Sequence, residues 1–173
     1  MGDTSTQSHE LLFDVRRSVR YHDHRKQFFD RLHNLTAIVG LVFGSATMVS
    51  LLAEADSIIT ISMALVVTTM SAIDLVVGFS KAARLHSDLS HEFIILEKDI
   101  VLKENPNTKQ LAKFTARRLD IELKEPPVLR VLDTICHNEL ARSMGYDKSE
   151  YKEIGWFQRM MADLIDIGAH KLG

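Results

Sequence analysis

The chain has 173 residues, with 21 Lys and Arg against 23 Asp and Glu and a formal net charge of −2. That balance gives no bulk attraction to nucleic acid. The single cysteine, Cys136, excludes an intramolecular disulfide framework and suits a reducing cytosol. A mean hydropathy of −0.01 looks soluble only because a long apolar stretch is averaged with polar flanks.

Residues 1–8 (MGDTSTQS) are small and polar and are predicted to be disordered. The opening Met-Gly has only Thr6 as Ser/Thr support, so myristoylation is not expected. The polar start also argues against a cleavable signal peptide. From His9 to Asn34, Leu12, Val15, Val19, Phe28, Phe29 and Leu32 recur near helical spacing with no Gly or Pro between, which predicts a helix. Its polar face carries Arg16, Arg17, Arg20, Arg25, Lys26 and Arg31.

The stretch Leu32–Ser80 then holds no Lys or Arg at all. Within it Leu35–Ala53 is uncharged, and Ile58–Phe79 carries one charge, Asp74. Spanning a bilayer takes about 20 apolar residues at roughly 1.5 Å rise each. The two runs have 19 and 22 residues, with Glu54-Ala55-Asp56-Ser57 between them. The predicted fold is therefore all-α, a two-helix transmembrane hairpin whose helices extend into a cytosolic helical bundle. Its divisions are a cytosolic amphipathic helix (1–34), transmembrane helix 1 (35–53), an external turn (54–57), transmembrane helix 2 (58–80), a cytosolic helical region (81–145) and a C-terminal amphipathic helix (146–173).

Beyond the spans, Leu85, Leu89, Phe93, Leu96 and Ile100 step by three and four through Lys81–Lys103, an amphipathic helix that needs a partner. The helix preceding the first span is that partner. Tyr21, His22 and Arg25 on one and His86 and Leu89 on the other are the candidate contacts. Glu104-Asn105-Pro106-Asn107 is a turn. Thr108–Lys124 is a third helix, stopped by Glu125-Pro126-Pro127, and Val128–Met144 a fourth, with Gly145 as its C′ residue. Ser149–His170 is a fifth, with Trp156, Phe157, Met160, Met161, Leu164 and Ile167 on its apolar side. That helix is compatible with the headgroup layer, but Glu150, Glu153, Asp163 and Asp166 on its polar face favour packing against protein.

Lys and Arg are retained on the cytoplasmic side. The connecting loop has none, whereas six precede the first span and Lys81 and Arg84 follow the second, so both termini are expected in the cytosol. Thr36, Gly40 and Gly44 step by four in the first span, and Ala64, Thr68, Ser71, Asp74 and Gly78 share a face of the second. Small residues let helices approach closely in lipid. These faces either zip the two spans together or present one face to a neighbouring subunit or a pore. Asp74 reads either as an interfacial acid paired with a basic side chain or as a water-facing, cation-favouring lining. No second buried titratable group accompanies it to make a proton relay.

His22 and His24 point about 200° apart on a helix, so they do not chelate together, and His86 and His91 are likewise off one face. Buried hydrogen bonds from His22, Asp23 and Arg25 between the two cytosolic helices remain open. Cys136 reads as a buried structural thiol. No Walker loop, dinucleotide fingerprint, HExxH or GxSxG is present, so neither an enzyme nor a cofactor or metal site is expected.

Tyr21-His22-Asp23-His24-Arg25, Phe28-Phe29-Asp30-Arg31-Leu32-His33, two spans, then Lys81-Ala82-Ala83-Arg84-Leu85-His86-Ser87-Asp88-Leu89 resembles the SLATT group of two-transmembrane effector domains. Glu125-Pro126-Pro127 followed by Leu132-Asp133 and Cys136-His137-Asn138-Glu139-Leu140 is similar to the C-terminal signature of some members, and the resemblance covers roughly residues 16–145. It implies a pore-forming effector of bacterial or phage conflict systems, in the inner membrane. It also implies homo-oligomers and a trigger from another chain, a cytosolic protein or nucleotide-sensing partner. Two alternatives stand beside it: a non-conducting membrane scaffold recruiting a partner through its cytosolic helices, and a soluble protein with Leu35–Phe79 as a core hairpin.

Overall fold

The structure is a computed structural model that describes residues 2–53 and 57–166. The described residues form helices joined by turns and loops, without a strand: α1 (Gly2–Leu52), α2 (Ser57–Val77), α3 (Phe79–Val101), α4 (Thr108–Glu122), α5 (Arg130–Ser143) and α6 (Trp156–Met161). Two stretches, Thr4–Leu51 and Ser57–Val101, are long and apolar enough to cross a membrane, and only 6% of the most apolar window of either is buried. The chain divides into two compact units, one of Met1–Arg25 with His86–Gly173 and the other of Lys26–Leu85.

In the first unit, α1 and α3 supply most of the core. Leu11, Val15, Leu89, Phe93, Leu96 and Ile100 are all buried and are joined by Leu111 and Ile121 of α4. Among the buried positions of α3, His86, Leu89, Phe93, Leu96 and Ile100 alternate by three and four and form a narrow seam, with Ser90 buried beside it. Leu85, predicted to lie on this stripe, is 41% exposed instead. One helical step of about 100° is enough to put His86 inward in its place. The two helices run antiparallel, since Arg16 pairs with Glu97 at 2.7 Å while Asp23, further along α1, accepts from Ser90 at 2.7 Å. A second cluster joins Tyr21 to Val131, Leu132 and Cys136 of α5 and to Ala162.

Several predicted boundaries move, each for a local reason. α1 is already helical at Gly2, where disorder is predicted. Thr4, Ser5 and Ser8 line a recess with Glu104–Asn107, so the polar first turns have a surface to lie on. Asn107 begins α4 with a capping box, its side chain accepting from Gln110 N while the Gln110 side chain accepts from Asn107 N. α5 starts at Arg130 rather than Val128, because the N–H of Leu129 donates to the Tyr21 hydroxyl at 3.0 Å.

The predicted continuous helix Ser149–His170 is replaced by a 3-10 turn at Lys148–Glu150 and the six-residue α6. The Asn138 amide accepts from Lys152 N and donates to Lys152 O, at 2.9 and 2.7 Å, which satisfies that backbone outside a helix. Ile167 and the predicted helix end at His170 lie outside the described residues.

In the second unit, the predicted unbroken run from the second span into the following helix is interrupted at Gly78, which has φ +67°. This backbone region is costly for residues with a Cβ.

α5 closes on a Schellman motif: Tyr146 N donates to Ala141 O at 3.0 Å and Gly145 N to Arg142 O at 3.2 Å, with Gly145 at φ +77°. A Cβ added at Gly145 meets nothing within 4 Å, so the cost of one is conformational. Gly145→Ala is expected to destabilise the protein by about 1 kcal/mol, measured by thermal unfolding in detergent. An unchanged melting temperature would show that the turn does not hold this conformation.

Candidate functional site

Two constellations bring together polar groups that the fold could have left in water. The first is buried in the first unit. His22 is fully buried and His86 2% exposed, and their Nδ1 atoms lie 2.9 Å apart. His22 Nε2 is 3.0 Å from Glu125 Oε1. The geometry sets the protons. Glu125 as a carboxylate takes the Nε2–H of His22, which leaves Nδ1 of the neutral ring as an acceptor for the Nδ1–H of His86. A proton on both Nδ1 atoms would set N–H against N–H.

The rings are fixed by their surroundings. His22 stacks on Phe93, 5.6 Å between centroids and 16° between planes, and Tyr21 meets both histidines edge-on. Burial, reinforced by His22 and then Arg25, pushes the His86 imidazole down to about 4. Burial likewise raises the Tyr21 phenol, although its oxygen accepts from Leu129 N. Arg25 Nη1 donates to Asp163 O at 2.6 Å, and Leu89 sits in the core beside these groups. The predicted set Tyr21, His22, Arg25, His86 and Leu89 is thus buried or bonded within one unit. Glu125 and Ser90 are partners that helical spacing alone does not reveal.

The second constellation lies in the second unit, around the break at Gly78. α2 ends with Gly78 N donating to Asp74 O at 2.7 Å. The next amide, Phe79 N, donates instead to the side-chain Oδ1 of Asp74 at 3.2 Å, so the carboxylate caps the interruption. Its other oxygen, Oδ2, is 3.4 Å from His33 Nδ1. A recess of about 380 Å³ is lined by His33, Thr36, Ser71, Asp74, Gly78 and Lys81, among others. The titratable partner that sequence does not pair with Asp74 is therefore His33, which is itself partly exposed.

Of the other span candidates, Thr36, Ser71 and Gly78 line this recess, whereas Gly40, Gly44, Ala64 and Thr68 do not. Thr36 is buried and its hydroxyl donates to Leu32 O at 3.1 Å. Thr68 is exposed and donates to Ala64 O at 2.8 Å. A Cβ placed at Gly40 or Gly44 meets nothing within 4 Å, so both glycines face open space within one chain.

Cys136 is fully buried, and burial, with Glu139 and Asp133 nearby, pushes its thiol well above the usual range, which makes it unreactive. A further recess of about 400 Å³ is lined by His9, Glu10, Phe13, His137 and Tyr146, where Phe13 and Tyr146 stack with 5.8 Å between centroids. Among the described residues no group of three or more His, Cys, Asp or Glu could hold a metal ion. No protein-family model, curated protein or solved structure matches the chain.

The buried pair generates a pH dependence with a definite sign. An unfolded His86 titrates near its ordinary 6.5, the folded one near 4. Folding is therefore fully supported above about pH 6.5 and loses support as the pH falls toward 4, by up to roughly 3 kcal/mol. His86→Gln is expected to melt with a weaker pH dependence across that window. Parallel curves for the variant and the wild type would exclude His86 as the titrating group.

Proposed function

We propose that the chain is an integral membrane protein with two spans, both termini in the cytosol, that assembles with copies of itself to form or gate a pore. The observation that carries this is the exposure of its apolar helices. Leu41 is 73% exposed, Leu65 65%, Leu75 86% and Val76 85%. A core helix of a soluble protein of the same composition is mostly covered by its own chain. Large apolar side chains left in water each forgo about 1.5–3 kcal/mol of transfer free energy, which lipid supplies instead. This weighs against the soluble alternative.

The orientation rests on Arg31, Lys81 and Arg84, exposed at the edges of the apolar runs, together with the upstream arginines and an acidic connecting turn. Assembly rests on Gly40 and Gly44, whose open faces allow close approach of another helix. The His33–Asp74 recess supplies polar groups to a passage for cations. The motif order around Tyr21–Arg25, Phe28–His33 and Lys81–Leu89 supports placing the protein among SLATT-type effectors of bacterial inner membranes, triggered by a separate cytosolic or nucleotide-sensing chain.

Overexpression in a bacterium, followed with a potential-sensitive dye, is expected to depolarise the cells. Gly40→Leu should relieve the effect; since a Cβ there meets nothing within 4 Å in its own chain, relief with the helices intact reports contact between chains. Asp74→Asn keeps an acceptor for Phe79 N–H while removing the charge, and should reduce depolarisation with oligomers intact. Stable oligomers in cells of unchanged potential would contradict the pore and favour the scaffold.

A further inference from the structure

The recess at the Gly78 break holds a carboxylate whose two oxygens are differently engaged. Asp74 is pinned there through backbone and side chain alike, its carbonyl accepting from Gly78 N at 2.7 Å and its Oδ1 from Phe79 N at 3.2 Å. Oδ2 faces the recess and lies 3.4 Å from His33 Nδ1. That separation is longer than a direct N–H···O hydrogen bond of about 2.7–3.2 Å, yet short enough for an ion pair. A proton on the ring would tighten the contact. All of these residues belong to one compact unit, Lys26–Leu85.

The titratable and charged groups lining the recess come one from each helix: His33 from α1, Asp74 from α2 and Lys81 from α3. The stem of Lys81 lies over the break, since a Cβ at Gly78 would come within 3.7 Å of its Cδ. On α1 the nearest acid, Asp30, is held by Lys26 at 2.7 Å. With His33 neutral, Lys81 and Asp74 offset one another. A proton on His33 leaves the recess with a net positive charge, which repels cations. His33 is also the more open of the pair, with 46% of its side chain exposed against 25% for Asp74. Histidine is the side chain whose charge ordinarily changes between about pH 5 and 8.

We propose that His33 governs whether this recess admits cations. The proposal rests on the pore reading. Neutral, the ring leaves Oδ2, the oxygen that the cap does not use, to a passing cation. Protonated from water, the ring takes that oxygen in an ion pair and, with Lys81, closes the recess to positive charge. The ring is tethered beside the oxygen, so its effective concentration there exceeds that of a diffusing ion.

The full-length protein is reconstituted in phosphatidylcholine vesicles and washed in carbonate, and potassium entry is read with a trapped fluorescent indicator. The same pH is set on both sides of the membrane. Wild-type flux is expected to fall roughly tenfold or more between about pH 8 and about pH 5, as the neutral fraction of an imidazole does. His33→Gln, which cannot take a proton, should hold its flux level across that range. His33→Arg, which cannot lose one, should conduct poorly throughout, with helix content by circular dichroism matching wild type in both variants. Wild-type flux independent of pH would overturn the proposal. So would a His33→Gln profile that falls with the wild type, which places the proton elsewhere, or loss of flux in both variants at every pH. Protein that is retained in the washed vesicles but passes no potassium at any pH would instead remove the pore reading, and this proposal with it.

Discussion

The structure depends on how two apolar helices satisfy their polar groups without help from surrounding protein. Inside a helix the backbone hydrogen bonds are internal, which is what permits a helix to stand in hydrocarbon. The same economy extends to side chains here. Thr36 donates to Leu32 O, Thr47 to Phe43 O, Ser62 to Ile58 O and Thr68 to Ala64 O, each four residues back. These four hydroxyls therefore have their donors met within their own helices and do not by themselves argue for a water-filled passage. Asp74 differs, because its carboxylate serves a backbone amide at the Gly78 break and faces His33.

The unit that joins the chain ends is organised differently, around a buried polar link. His22 and His86, both buried, and the partly buried Glu125 connect α1, α3 and the turn after α4. A polar residue at a seam position specifies register, since a shift of α3 by one residue would strand both rings. Exposed ion pairs such as Lys124 with Glu92 contribute little by comparison. α1 passes from this unit into its apolar run without interruption, whereas α3 is separated from α2 by Gly78.

Much of the architecture is legible in the sequence because the signals are long. Two runs without Lys or Arg give the apolar helices, the turn at Glu104–Asn107 and the stop at Glu125-Pro126-Pro127 bracket α4, and Gly145 ends α5. The features that escape are those set by contacts distant in sequence. The break at Gly78 looks like one more small residue on a helix face until Asp74 is seen to cap it. His86 takes the seam position predicted for Leu85, which the alternation of three and four through Leu89, Phe93, Leu96 and Ile100 could have revealed. The C-terminal segment has helical periodicity, but Asn138, on another element, bonds the backbone of Lys152 and holds the chain extended before α6. Of the candidate site, the histidines are visible in sequence as residue types only. Their pairing depends on which helical face each one occupies.

The central claim is that Leu35–Ala53 and Ile58–Phe79 have lipid as their solvent. Fractionation of cells expressing the untagged chain, with membranes washed in alkaline carbonate, tests it most directly. Retention of the protein in the pellet, with release only by detergent, is the result expected of two inserted helices. Release into the carbonate supernatant as a folded helical protein would contradict it.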